Sequence, residues 1–304
     1  MHQSLLETIG KTPLLSLSLA QGLPGKVLVK LENKNPGGSI KDRVAKHLLT
    51  KALESGKISQ GSFIVEATSG NMGIGLALVS KQLGLKCVLT MPESMSLERR
   101  KLLAALGAEL ILTSASGGMG EAVAKSKEIA KERNGYIPGQ FTNPLAVEAH
   151  YTTTGPEIYE QTNGQVDYLV AGVGSGSSLM GAGKFLKSKK PDVKMIAVEP
   201  KKSPVLSGGK PGRHAIQGIG AGFVPEIVDL TAIDEILPMD DDAAIATSKQ
   251  LITEAGIICG ISSGANVRAA LDLAAKPEMD GRTIVTFICD SGERYLSTAL
   301  FEAN

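Results

Sequence analysis

The chain has 304 residues, of which 32 are Lys or Arg and 31 Asp or Glu, giving a formal net charge of +1. So even a balance argues against a protein built to coat nucleic acid or an acidic membrane surface. Hydrophobic residues make up 42% and charged ones 21%, enough for a core and too little net charge for disorder. Trp is absent and aromatics are 4%, which disfavours a base-stacking platform; the 35 glycines follow no G-X-Y period, which excludes collagen.

In chain order, short β-rich runs alternate with longer helical patterns. The spacing predicts a strand over 26–32, a helix over 42–56, a strand over 62–68, a helix over 71–84 and a strand over 86–92. A helix over 97–107, a strand over 108–113 and a helix over 120–135 follow, and the rhythm then breaks near 139–150. It resumes with a helix from 152 that carries Pro156 in its first turn, a strand over 166–174, a helix over 177–188 and a strand over 193–200. After a Gly-rich stretch come helices over 240–255 and 263–275, a strand over 282–290 and a last helix over 292–301. Runs such as YLVAGV and IVTFIC are apolar throughout, as in strands covered on both faces by helices. The expected class is therefore α/β with crossover helices, about two domains at about 150 residues each.

Ligands in such folds sit beyond the carboxyl ends of strands, and the glycines concentrate in those loops. NPGGSIKDR (35–43) sets a Ser39-x-x-Asp42 capping box at a helix start and puts Lys41 in the first turn. The positive end of the helix dipole disfavours an ammonium there, which suits a Schiff-base or general-base lysine. EATSGNMGIG (66–75) places Thr68, Ser69 and Asn71 at a helix start, a site for a carboxylate or phosphate or simply an N-cap. AGVGSGSSLMG (171–181) is the strongest phosphate cradle: a buried strand, then Gly and Ser in series, then a helix. Glu199, ending the next strand, raises a nicotinamide dehydrogenase as a rival, but neither glycine register completes G-x-G-x-x-G. HAIQGIGAGF (214–223) reads as a mobile or substrate-side loop, and GISSGANV (260–267) and CDSGERYL (289–296) as capped helix starts. His2, His47, His150 and His214 are scattered, so no metal site is expected. Cys87, Cys259 and Cys289 form no CxxC and read as small buried apolar residues. The opening MHQSLLETIGKTPLL has no signal-peptide pattern and no apolar run reaches about 18 residues, so a cytoplasmic protein with no membrane partner is expected.

Taken in order, TIGKTPL, NPGGSIKDR, TSGN, MPESMSLERRKLL, QFTNP, TTGPEIY, VEP, HAIQGIGAGF, GISSGA and SGERYLST resemble the cysteine synthase (O-acetylserine sulfhydrylase) family. The likeness runs nearly end to end and extends in large part to cystathionine β-synthases. It implies a fold-type II pyridoxal 5'-phosphate enzyme, tryptophan synthase β-like, with two three-layer α/β/α lobes of mostly parallel strands. The smaller, mobile lobe would span 35–146 and the larger, cofactor-binding lobe 1–34 and 147–304. The resemblance also implies roles. Lys41 would hold the cofactor and then move protons. Asn71 would meet its phenolic oxygen, and Gly174, Ser175, Gly176, Ser177 and Ser178 its phosphate. Ser262 would face its pyridine nitrogen, where a hydroxyl favours β-elimination over transamination. Thr68, Ser69, Asn71 and Gln140 would grip the substrate carboxylate, and Gly218 and Gly220 would border the amino acid. The implied partners are a second copy of the chain and, as for some members, the C-terminal tail of serine acetyltransferase; no nucleic acid is implied.

Two departures stand out. The family's TSGNTG is TSGNMG here, so Met72 replaces a hydroxyl on the substrate side, and the phosphate loop GTGGT is GSGSS, which keeps both hydroxyls. The expected reaction is β-replacement, O-acetylserine and sulfide to cysteine and acetate. The alternatives are condensation of serine or O-acetylserine with homocysteine, a sulfide-releasing cysteine β-lyase side activity, the dehydrogenase, and a catalytically idle binding protein.

Overall fold

The computed structural model of the chain describes residues 2–302. Its strands are β1 (Leu14–Ser16), β2 (Lys26–Leu31), β3 (Phe63–Ala67), β4 (Lys86–Pro92), β5 (Glu109–Thr113), β6 (Tyr168–Gly172), β7 (Lys194–Pro200), β8 (Glu235–Met239) and β9 (Thr283–Ile288). Its α-helices are α1 (Lys41–Glu54), α2 (Asn71–Gln82), α3 (Leu97–Ala105), α4 (Gly118–Glu132), α5 (Leu145–Ala149), α6 (Gly155–Gln161), α7 (Ser177–Lys189), α8 (Asp241–Ala255) and α9 (Ile261–Ala274). No helix among the described residues is long and apolar enough to cross a membrane.

The chain divides into two units. The smaller comprises Asn35–Leu145 and the segment ending at Ile9. Its sheet runs β3-β4-β5, all parallel, with Val65 beside Val88 and Glu66 beside Leu89. Val65, Val88 and Ile129 form one cluster of its core, with Phe63 and Ile111 against them. The sequence reading put residues 1–34 in the larger lobe; the segment up to Ile9 instead joins the smaller unit. Lys46 Nζ on α1 donates to Leu6 O at 2.8 Å, which anchors that segment.

The larger unit comprises Gly10–Lys34 and the chain from Ala146 onward. Its sheet order is β1-β2-β9-β6-β7-β8, parallel except for the β1–β2 pair. Val29, Val170, Ile196, Val198, Ile284 and Ile288 supply its core, each such side chain contributing about 1.5–3 kcal/mol on burial. α9 packs on β9, β6 and β2, and α7 on β6 and β7. Lys30, fully buried on β2, donates to Thr12 O at 2.5 Å, Glu157 Oε2 at 2.7 Å and Gln161 Oε1 at 2.9 Å. These partners offset the cost of burying its charge and tie the 10–13 segment to α6.

Several elements differ from the sequence reading, among them β1, which that reading does not contain. β8 lies in what the sequence presents as a Gly-rich stretch, because EILPM carries an exposed Pro and only half-buries Ile236 and Leu237. The interrupted rhythm near 139–150 is α5 running into a π-helical turn, His150–Thr154, before α6. The expected last helix over 292–301 is only a 3₁₀ turn, Gly292–Tyr295. Tyr295 OH donates to buried Asp290 Oδ2 at 2.6 Å, a tie that holds this segment back on its own start.

Candidate active site

In the smaller unit, Lys41 is the first residue of α1 and half-buried. The expected capping box forms differently. Ser39 Oγ accepts from Lys41 N at 3.2 Å, and the Asp42 carboxylate accepts from Gly37 N at 2.5 Å rather than from its own cap. Two glycines precede the helix, so the chain folds back far enough for Asp42, fully buried, to reach it. Asp42→Ala removes this hydrogen bond to a buried carboxylate; a loss of about 1.5–3 kcal/mol is expected, measured by urea unfolding. α1 crosses α2 closely: a Cβ on Gly75 would lie 3.2 Å from Lys41 O and 3.1 Å from Ala45 Cβ. The lysine's backbone therefore lies against the helix that Asn71 begins.

The turn between β3 and α2 is built by Thr68, whose N donates to Thr90 O at 3.1 Å and whose Oγ1 accepts from Gly70 N at 3.3 Å. Ser69 Oγ donates to Met95 Sδ at 2.8 Å. Thr68 and Gln140 are buried, Ser69 and Asn71 half-buried. Met72 is 2% exposed, so the residue that replaces the family's threonine is packed rather than displayed on a surface.

Sequence reasoning missed Glu66, which sits on β3 beside this turn. It is buried, and Oε2 accepts from Gly139 N at 3.1 Å. Burial pushes its carboxyl up to about 7, against the pull of the Gly139 hydrogen bond. The folded chain thus binds this proton more tightly than the unfolded one. Its stability contribution is complete below about pH 4.5 and is lost as pH rises through about 7. The loss is on the order of 3 kcal/mol. Glu66→Gln is expected to flatten that dependence in urea titrations at pH 5 and pH 8.

In the larger unit, β6 feeds the cradle. Gly174 approaches the 218–220 loop so closely that a Cβ on it would lie 2.4 Å from Gly218 O. Gly220 N donates to Val173 O at 3.0 Å and Gly220 O accepts from His214 Nε2 at 3.1 Å. The 214–223 segment, expected to be a mobile or substrate-side loop, is thus tied through Gly220 to the strand end. Gly176, at φ +80°, turns the chain into α7, whose first N–H groups join the buried hydroxyls of Ser175 and Ser177, 3.1 Å apart. Ser178 is half-buried on the first turn of α7. Ser262, on the first turn of α9, faces the same loop: a Cβ on Gly218 would lie 3.4 Å from its Oγ. Asn266, also missed in sequence, accepts from Gly172 N at 2.7 Å and donates to Phe287 O at 3.1 Å and Cys289 Sγ at 3.2 Å. Ser263 Oγ accepts from Cys289 N at 2.9 Å, so this hydroxyl is structural. None of the three cysteines is in a disulfide; two are buried and Cys289 is half-buried.

The larger unit thus brings together Gly174, Ser175, Gly176, Ser177, Ser178, Gly218, Gly220 and Ser262, and the smaller one carries Lys41, Thr68, Ser69, Asn71, Met72 and Gln140. Glu199, the residue behind the dehydrogenase alternative, accepts from Leu206 N at 2.8 Å, Ser207 N at 3.2 Å and Ser207 Oγ at 2.5 Å. Its carboxylate braces a turn instead of waiting for a ribose. No group of three or more His, Cys, Asp and Glu able to hold a metal exists among the described residues.

Each unit carries a feature suited to the pyridoxal-phosphate class of enzyme: the larger an amide-and-hydroxyl cradle of a size for a phosphate, the smaller a lysine at a helix start. The cradle fits the phosphate group and the lysine fits the aldehyde. The family model described as "Pyridoxal-phosphate dependent enzyme" matches residues 5–290, and the chain belongs to that family. It is 48% identical over 300 residues to a cysteine synthase of Staphylococcus aureus, covering 98% of this chain and 96% of the relative. A crystal structure of cysteine synthase from Entamoeba histolytica superposes with a TM-score of 0.97 at 42% identity, covering 100% of this chain and 92% of that one. The O-acetylserine dependent cystathionine beta-synthase from Helicobacter pylori gives 0.91 at 37%, covering 99% of each.

Proposed function

We propose that the protein makes cysteine and acetate from O-acetylserine and sulfide. The observation that carries this reading is the internally tied cradle from Gly174 to Ser178 opposite Gly218, in a chain 48% identical to a cysteine synthase along nearly its full length. The bound cofactor supplies an electron sink for loss of the α-proton. The Ser175, Ser177 and Ser178 hydroxyls and the first amides of α7 hold its phosphate, Asn71 its phenolic oxygen and Ser262 its ring nitrogen. The Lys41 amine anchors the cofactor, then takes the proton from the substrate Cα and returns it. Thr68, Ser69, Asn71 and Gln140 hold the substrate carboxylate, and Gly218 and Gly220 leave room for the amino acid. Acetate departs from the β-carbon, hydrosulfide adds there, and the net exchange is balanced.

A second reading takes homocysteine as the nucleophile. It is favoured by the likeness to the Helicobacter pylori enzyme and by Met72, which changes the TSGNTG pattern. Steady-state rates with O-acetylserine or serine against sulfide or homocysteine test both: at least tenfold higher kcat/KM for O-acetylserine with sulfide supports the first, and the reverse ranking supports the second. The reading extends to a cytoplasmic homodimer, checked by light scattering, and to capture of a serine acetyltransferase C-terminal tail, checked by titration with that peptide.

A further inference from the structure

β3 is flanked by the segment that carries Gln140. Ile64 and Tyr136 form a parallel bridge; Val65 N donates to Tyr136 O at 2.9 Å and Tyr136 N to Phe63 O at 2.8 Å. This backbone pairing stops at Tyr136. Three residues later the Glu66 carboxylate takes over, accepting from Gly139 N at 3.1 Å. Gly139 is the hub of a tight turn at φ +71°, its carbonyl accepting from Thr142 N at 3.1 Å and Asn143 N at 2.8 Å. The next residue along from Gly139 is Gln140, 7% exposed. One buried side chain thus fixes the backbone position from which Gln140 projects.

We propose that Glu66 is a positioning residue that sets Gln140 for the substrate carboxylate and makes amino-acid affinity depend on a proton. The proposal rests on the reading that Gln140 grips that carboxylate. An ionised carboxylate accepts a charge-assisted hydrogen bond about twice as strong as a neutral acid does. Protonation weakens the hold on Gly139 and brings in a proton that needs an acceptor of its own. Burial puts the carboxyl at about 7, within the working range of an enzyme. Tyr136 on the bridging segment and Cys87 on β4 both feel its charge. Burial raises both, the thiol to about 12, so neither titrates between pH 6 and 8. Ionised Glu66 keeps Gln140 placed; protonated Glu66 lets it drift.

The test uses the full-length holoenzyme, with KM for O-acetylserine and calorimetric affinity for L-alanine, which has no β leaving group, measured from pH 6 to 8. If only the ionised form binds well, KM rises up to about tenfold on going from pH 8 to pH 6. Glu66→Gln keeps an oxygen acceptor and is expected to remove that rise while leaving kcat within about twofold. Glu66→Ala is expected to raise KM about tenfold at pH 8, again with little change in kcat. Identical KM profiles for the parent and Glu66→Gln overturn the proposal, as does Glu66→Ala acting on kcat alone. Gln140→Ala separates the two levels. If it raises KM while the Glu66 variants do not, only the positioning role fails. If it leaves KM unchanged, the carboxylate reading and this proposal fall together.

Discussion

Lys41→Ala is expected to lower turnover by at least about 10³-fold, the range for losing a general acid–base group, and to abolish covalent attachment of the cofactor. The variant is expected to fold, because the ties at the start of α1 run through the Ser39 hydroxyl, the Asp42 carboxylate and backbone amides. Two measurements check it. The visible absorbance of a lysine-bound pyridoxal chromophore is expected to vanish. Borohydride reduction followed by mass spectrometry is expected to add the cofactor's mass to the parent and not to the variant. A variant within tenfold of parental turnover would remove Lys41 from the chemistry.

Gly174→Val has the second large effect, and it acts on binding. The new Cβ would lie 2.4 Å from Gly218 O, a backbone atom with little freedom, since Gly220 N is bonded to Val173 O at 3.0 Å. Either the cradle or the 218–220 loop must move. Overpacking of this kind costs typically about 1–3 kcal/mol of stability. Cofactor affinity is expected to fall about 100-fold, or about 2.7 kcal/mol, as the amides leave their aligned positions. Equilibrium dialysis and urea unfolding measure the two losses. Gly120→Ala on α4 is the control: nothing lies within 4 Å of its added Cβ, so stability is expected to hold or to rise by up to about 1 kcal/mol.

The sequence was informative where one strand's period or one loop's composition carried the signal. β6, β7 and β9 were legible because they are apolar on both faces, and the cradle because Gly and Ser crowd one strand-to-helix loop. β8 was not, because an edge strand with a proline and half-buried positions lacks that signature. At the site, the groups expected to touch ligands stood out as capping residues at helix starts. The residues that hold them did not. Glu66 acts 73 positions from Gly139 and Asn266 acts 94 positions from Gly172, and no local pattern reports such pairings. Asn266 lay within a motif, GISSGANV, whose hydroxyls drew the attention. Glu66 opened another, EATSGNMGIG, in which Thr68, Ser69 and Asn71 carry the local signal.

The Asn266 side chain has a consequence for how tightly an anion can be held. Its amide joins the carboxyl ends of β6 and β9 through Gly172, Phe287 and Cys289, while Gly220 straps the following loop to Val173. Fixing one residue's backbone costs about 1–2 kcal/mol in entropy. For residues 172–176 these internal ties place that cost in folding, where a six-stranded sheet and its helices offset it. What a phosphate held there would gain from the amides and hydroxyls would then pass into affinity with little deducted for ordering the loop. A cradle that is rigid in advance is also selective, because an anion of another size or geometry cannot reshape it.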